Sequence, residues 1–383
     1  MSANAHTATR PRGAANVAAP RGRSLRTRAW AIVAALSVTE TVSWGILYYA
    51  FAVFLIPMQR ELGFSTAELT GAFSVALLVS GVAGIAVGRH LDRHSPRKLM
   101  TLGSIAATGL VLAWSQVDGL IALYAIWVAI GLVMATVLYE PAFTVLAEQF
   151  DDAEARRRAM TAMTLVAALA SFIFMPLAQA LIDAYGWRDA LLVLAVVLAV
   201  ITVPLHGLVL RPARSPGRAT AVERSVGATR ALRSARFWLL AIAFFLGSLA
   251  TIAVTIHAIP FLIERGHSPA FAAFAAFAVG LVGISQIPGR LLFAPLAGKL
   301  PRAAAIAAVF LLIGAGIVVI VSAHATWGVM AGLVVLGMGN GMATLARATA
   351  IADIYGAGAY GTIASVAAAM TTAARAGGPV ATT

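Results

Sequence analysis

Eleven stretches of this chain stay apolar for about 20 residues or more, and that feature leaves few folds open. They fall near 29–57, 67–88, 99–117, 119–147, 159–183, 190–210, 237–263, 270–293, 303–323, 325–346 and 359–383. A helix needs about 20 largely apolar residues to cross ~30 Å of hydrocarbon. The other fold that pairs all its backbone groups in lipid, a closed barrel, alternates apolar and polar residues along each strand. These runs are continuous, so the chain reads as an all-α integral membrane protein. Composition agrees: 60% of the 383 residues are hydrophobic and 11% are charged, far from the balance of soluble domains. The first run is too long for the core of a signal peptide and ends in FLIPMQREL without a small-residue cleavage pattern, so it is expected to be a span. Gly81, Gly84 and Gly88 in the second run, and Gly337, Gly339 and Gly341 in the tenth, predict helices that pack closely.

The net charge of +13 is explained by topology rather than by a nucleic-acid partner, because no polar domain exists over which a nucleic-acid surface could spread. Cytoplasmic loops hold an excess of Lys and Arg. With the N-terminus inside, the cytoplasmic side receives six arginines of the N-terminal tail, then Arg89, Arg93, Arg97 and Lys98, then Arg156, Arg157 and Arg158, seven arginines between 211 and 236, and Lys299, Arg302 and Arg347. The outside receives Arg60, Arg188 and Arg265, and Arg290 and Arg375 fall within hydrophobic runs. The expected organisation is a basic cytoplasmic tail (1–28), a six-helix bundle (29–210), a flexible cytoplasmic linker rich in Arg, Pro, Gly and Ser (211–236), and a second bundle (237–383) in which five helices are counted. The expected location is the inner (plasma) membrane.

The chain has no cysteine, which excludes disulfides, thiolate metal sites and cysteine nucleophiles. It has no G-x-x-x-x-G-K-[ST] loop, which argues against ATP-driven pumping by this chain. No metal cluster or nucleophile–base pair is visible in the sequence, so neither an enzyme nor a cofactor is expected.

One segment points further. After the second run the sequence reads Gly88-Arg-His-Leu-Asp92-Arg93-His-Ser-Pro-Arg97-Lys98. This resembles the loop signature of the major facilitator superfamily, G-x-x-x-D-R-x-G-x-R-K, with Ser95 in place of the usual Gly. The resemblance implies that Gly88 permits close helix contact and that Asp92, Arg93, Arg97 and Lys98 form a charge network steadying one conformation. A weaker second copy, Ala294-Pro-Leu-Ala-Gly298-Lys299-Leu-Pro-Arg302, follows the eighth run, as a parallel internal repeat would place it. Pro176 and Pro379 occupy corresponding places in runs five and eleven. The fold implied is two six-helix bundles related by a pseudo-two-fold repeat, and because the sequence stops in run eleven, the twelfth helix is expected to be missing.

Ionisable side chains inside a bilayer are expensive, so each is a candidate functional group. Four stand out: Glu40, Glu140, Arg290 and Arg375. The surroundings of Arg290 resemble the helix-eight arginine of monocarboxylate porters, with Gln286 where those porters commonly have an Asp. Arg375, in Thr-Ala-Ala-Arg-Ala, resembles the helix-eleven cation of oxalate/formate antiporters. The resemblance implies two cations facing one cavity, suited to a carboxylate because a guanidinium offers a planar fork of donors. Snorkelling, or an ion pair with Glu140, is the alternative for Arg290. Glu40 and Glu140 are candidates for proton coupling and equally for partners of the two arginines, and Glu140 is also a candidate substrate contact. The aromatic stretch Trp44, Tyr48, Tyr49, Phe51 and Phe54 resembles a motif of the same porters, which makes Tyr48 a candidate cavity residue, although an interface belt explains the group equally well. His257, Phe271, Phe274 and Phe277 are read chiefly as interface and packing groups.

The function expected is secondary active transport of a small organic anion, a mono- or dicarboxylate, by alternating access, with proton symport or anion exchange. The alternatives are a drug or metabolite exporter of the same superfamily and an inactive remnant lacking a helix. The expected partners are the anion and the bilayer, with no nucleic acid, and the chain is expected to be a monomer.

Overall fold

A computed structural model describes residues 19–210, 226–264, 269–323 and 325–380, and side chains are described outside 19–26, 255–264, 269–281, 326 and 378–380. His257, Phe271, Phe274, Phe277 and Pro379 therefore lie outside the described side chains.

The first half comprises α1 (Ala19–Trp44), a π-helical turn (Gly45–Tyr49), α2 (Ala50–Leu62), α3 (Thr66–Leu91), α4 (Pro96–Ser115), α5 (Leu120–Val137), α6 (Tyr139–Gln149), α7 (Ala153–Ala167), α8 (Ala170–Tyr185), α9 (Trp187–Pro204) and a second π-helical turn (Leu205–Val209). The second half comprises α10 (Ala228–Leu232), α11 (Ala235–Glu264), α12 (Pro269–Lys299), α13 (Arg302–Ser322), α14 (Thr326–Tyr355) and α15 (Tyr360–Val380). Among the described residues, nine helical stretches are long and apolar enough to cross a membrane. Their outward faces carry Val82, Ile121, Val200, Leu239 and Leu311, each more than two-thirds exposed, as lipid-facing surfaces require.

Local signals set the helix ends. Gly63 turns left-handed (φ 72°) to stop α2. Ser65 and Glu68 then form a reciprocal capping box that starts α3, with Glu68 N–H donating to Ser65 Oγ (3.2 Å) and Ser65 N–H to Glu68 Oε2 (2.8 Å). Pro96 sits in the first turn of α4, where its missing N–H costs nothing.

The halves meet along two seams, α3 against α15 and α7 against α12. At the first, Gly88 and Gly361 cross so closely that a Cβ on Gly361 would lie 2.6 Å from the Gly88 carbonyl oxygen and 2.7 Å from Asp92 Oδ1. Any larger residue there pushes the halves apart. The tenth-run glycines serve a seam within the second half, where Gly341 lies against the Gln286 backbone and Gly289 against Met338.

The expectation of a fold with its twelfth helix missing is corrected here. It came from counting unbroken hydrophobic runs up to the end of the chain. The structure divides such runs: run one is split by a π turn and run four at Leu138, so that 15 α-helices and two π turns lie among the described residues. Both seams between the halves are in place, and the described residues form the all-α, two-bundle architecture, so the expectation of a missing helix is not met. Run ten is also longer than expected. With no Gly or Pro between Ala343 and Tyr355, α14 continues to Tyr355 and takes Arg347 into the helical bundle instead of a loop.

Candidate functional site

A cavity of about 720 Å3, counted out to its open side, lies between the halves. Three local features place its polar groups. The first is the π turn at Gly45–Tyr49, which adds a residue to a turn and redirects the side chains that follow. Gly45 makes room there for the Phe174 ring of α8, which its Cβ would strike. Tyr48, within the turn, faces the cavity beside Trp44, which precedes it, with ring centroids 5.1 Å apart.

The second feature is the break at Leu138, whose extended backbone (φ −93°, ψ −165°) ends α5 and begins α6. Pro141 falls in the first turn of α6, where its lack of an N–H is harmless. Tyr139 and Glu140 are thereby held at a helix N-terminus, a position that favours negative charge. Both line the cavity.

The third is the small-residue face of α15. Ser365, Ala368, Ala369 and Thr372 recur at helical spacing, and Arg375 continues that face into the cavity.

The charges in the cavity wall are Glu140, Arg347 and Arg375. Arg347 Nη2 donates to Glu140 Oε1 at 2.7 Å, joining α14 to α6 across the halves, with side chains 10% and 20% exposed. The second oxygen, Glu140 Oε2, and Arg347 Nη1 are buried without hydrogen-bond partners. Arg375 is half-buried, and no carboxylate pairs with it among the described residues. Two guanidinium groups thus face one carboxylate.

The remaining candidates sit behind this wall. Arg290 is 5% exposed, donates to the Thr164 carbonyl of α7 (2.5 Å) and to Gln286 Oε1 (3.0 Å), and leaves Nε unpaired. It does not line the cavity, but its charge acts on Tyr49 and Tyr139, as does that of Arg375 in the wall. The ion pair with Glu140 weighed for Arg290 is made by Arg347 instead. Glu40 is fully buried. It accepts from Trp44 Nε1 at 3.0 Å through Oε2, while Oε1 has no partner. Tyr48 and Glu140 are cavity residues.

The loop residues form a separate cluster at one end of the molecule, termed the loop end below. Asp92 receives Gly361 N–H at 2.7 Å on one oxygen, and Thr362 N–H at 2.9 Å and Thr362 Oγ1 at 2.5 Å on the other. A carboxylate from the first half therefore caps the N-terminus of α15 in the second. Burial holds the Asp92 carboxyl above its usual range, and these hydrogen bonds and the Arg93 charge only partly offset that. Arg93, Arg97 and Lys98 are exposed around it. Beside this cluster, Arg156 of α7 pairs with Asp353 of α14.

Arg347 was the residue the sequence reading did not pick out for the cavity. The signal was present: an Arg in an uninterrupted helical stretch, three residues after Thr344, which lines the same wall. Its nearness to the end of a hydrophobic run made it look like a loop residue.

The fold and cavity define a class: a multi-pass membrane protein built as two helical halves around a central polar cavity. The sequence matches the Major Facilitator Superfamily over residues 25–379, and the chain belongs to that family, whose members are transporters rather than enzymes. It is 27% identical to monocarboxylate transporter 13 of Bos taurus over 284 residues, 71% of this chain and 62% of that protein. It is 28% identical to the uncharacterized 38 kDa protein in the 23S RNA operon of Thermoproteus tenax over 234 residues, 60% of this chain and 58% of that one. The chain thus spans about three-fifths of the length of these curated relatives. Among solved structures it is similar to the proton:xylose symporter XylE bound to 6-bromo-6-deoxy-D-glucose (TM-score 0.67, 12% identity, 91% of this chain and 87% of that one). It is also similar to the transporter FucP in the outward conformation (TM-score 0.68, 14% identity, 91% and 89%). At these identities the likeness is one of fold, and its extent agrees with the corrected architecture.

Proposed function

We propose that this chain is a secondary active transporter that carries a small organic anion, a mono- or dicarboxylate, by alternating access between its two halves. The observation that carries the reading is the charge of the cavity: two arginines, Arg347 and Arg375, against one carboxylate, Glu140, with Arg375 unpaired among the described residues. A substrate carboxylate would satisfy that guanidinium, and the low polarity around it makes the pairing strong. Tyr48 supplies a hydroxyl in the same wall. Arg290 supports the site from behind Tyr139 rather than from the wall. The partial identity to a protein named as a monocarboxylate transporter favours the same substrate class. Glu140 and Glu40 are the groups suited to proton coupling, one in the wall and one behind Trp44.

On the Lys and Arg bias, the N-terminus and the loop end face the cytoplasm of a cell bounded by an inner or plasma membrane. The unit that transports is one chain, because the cavity is formed within it.

Exchange of labelled formate, lactate, oxalate and succinate in proteoliposomes tests the proposal. Arg375→Gln is expected to lower uptake of the preferred anion at least tenfold while the protein remains folded, and Arg290→Gln is expected to have a smaller effect. Unchanged exchange in a folded Arg375→Gln protein would overturn the assignment, and transport of neutral solutes alone would overturn the anion.

A further inference from the structure

A second cavity lies away from the first, at the loop end, between α7 of the first half and α12, α13 and α14 of the second. Its space is about 870 Å3 counted out to solvent. Three arginines line it, Arg156, Arg157 and Arg302, against one carboxylate, Asp353. That carboxylate is already taken by Arg156. Arg157 and Arg302 have no carboxylate partner among the described residues, so the cavity has an excess of positive charge.

Two further observations point to an anion. Arg156 is 8% exposed, donates through Nη1 to the Phe150 carbonyl at 3.2 Å, and keeps a buried Nε with no partner. A buried donor left unpaired costs free energy that an incoming acceptor would recover. The first turn of α13 also opens onto the cavity through Arg302, Ala305 and Ile306. That helix starts behind Pro301 with no side-chain cap and no acidic residue in its first turn. Its free amides and dipole favour a negative group at this place. In the rest of the wall Thr349 spends its hydroxyl on the Leu345 carbonyl at 2.7 Å, and the other side chains are apolar: Phe293 and Ile306 lie within it, and Leu300 is 37% exposed at its edge.

We infer that this cavity binds the phosphate of an anionic phospholipid. The phosphate sits between Arg157, Arg302 and the start of α13, and the acyl chains run along the apolar wall. Free phosphate would use the same donors but would leave that wall without a partner. Basic pockets between membrane helices are suited to anionic headgroups. Because the cavity is built from both halves, a lipid bound there stabilises the arrangement in which the halves are closed at the loop end.

The test uses the full chain in nanodiscs of phosphatidylcholine alone or with phosphatidylglycerol, reading the thermal unfolding midpoint and the lipid retained in native mass spectrometry. Phosphatidylglycerol is expected to be retained over phosphatidylcholine by about tenfold or more and to raise the midpoint. Each arginine contributes about fivefold of that preference, so Arg157→Gln with Arg302→Gln removes most of it, while Arg157→Lys with Arg302→Lys keeps most of it. Should the double glutamine variant fail to fold in neutral lipid, Arg157→Gln and Arg302→Gln singly, each losing about fivefold, make the same comparison. Equal retention in the glutamine variants, or no preference in the parent chain, overturns the site. Stabilisation of neutral-lipid discs by inorganic phosphate alone, to the level given by phosphatidylglycerol, overturns the lipid as its source.

Discussion

The two ends of the molecule are fastened in different ways. At the end away from the loop, the polar contacts among the described residues stay within the first half. Arg188 donates to Glu61 (2.8 Å), to Asp118 (2.6 Å) and to the carbonyls of Ser115 and Val117, while Trp187 Nε1 donates to Glu61 at 2.6 Å. From the central cavity to the loop end, four described polar contacts cross between the halves: Asp92 to Gly361 and Thr362, Arg156 to Asp353, Glu140 to Arg347, and Arg290 to Thr164. The first set stiffens one bundle and places no tie on the other. The second set has to break if the halves are to part at that end. The difference teaches where the described ties between the halves are held: in four contacts between the central cavity and the loop end, each involving a carboxylate or guanidinium that is at least half-buried.

Three predictions sharpen this contrast. The largest effect belongs to the pair in the wall of the central cavity. Glu140→Gln leaves the Arg347 charge buried without its partner and is expected to destabilise the protein by about 3–5 kcal/mol, read as a lower unfolding midpoint in detergent. Adding Arg347→Gln should restore part of that loss, because the pair's desolvation penalty is removed along with its attraction. If the double variant is no better than the single, the pair is not the contact that holds these helices.

The next effect concerns Asp92. Asp92→Ala removes an acceptor of three hydrogen bonds at a partly exposed site, where water replaces much of what is lost, and should shift the molecule toward separation at the loop end. The chain has no native cysteine, so a single cysteine introduced at Ala359 reports this directly, and its labelling is expected to accelerate several-fold. The pH arm has a definite sign. Burial raises the Asp92 carboxyl in the closed arrangement, so that arrangement binds a proton more tightly than one in which Asp92 faces water. Protonation therefore favours closure at low pH, and that contribution is lost as pH rises through the elevated value. Labelling at position 359 should slow as pH falls toward the ordinary Asp range, and this dependence should vanish in Asp92→Ala. A slope of the opposite sign would refute the account.

The smallest effect belongs to the other end. Glu61 is half-exposed, and its contacts remain within one bundle, so Glu61→Gln is expected to cost about 1 kcal/mol or less and to leave labelling at position 359 unchanged. A change there as large as that of Asp92→Ala would erase the distinction between the ends.

Much of this was legible in the sequence. Continuous apolar runs gave the all-α membrane class, and the offsets from Gly88 to Lys98 located the residues that tie α3 to α15. Glu140 and Arg375 were readable as candidates because ionisable groups are costly inside lipid, and Tyr48 through the resemblance of its aromatic stretch to a porter motif. What was not legible depended on backbone irregularity. Hydropathy does not register the π turn at Gly45 or the break at Leu138, since neither interrupts an apolar run, and so the count of runs was mistaken for a count of helices. Arg347 was misplaced for a related reason: hydropathy falls after Ala346, but the helix does not end until Gly356. The partner of Glu140 was beyond reach as well, because residues 207 positions apart are brought together only by the docking of the halves.

The break at Leu138 has a consequence for water. A continuous helix pairs every amide with the carbonyl one turn back, and a break withdraws that pairing from the turns on each side. Lipid offers no replacement. Residues on both sides of the break, Ala135 and Tyr139 among them, line the central cavity, so the backbone groups released by the break have polar solvent rather than lipid as their natural partner. The opening of the helix at Leu138 thus puts main-chain polarity, which no side-chain substitution can take away, beside the central cavity.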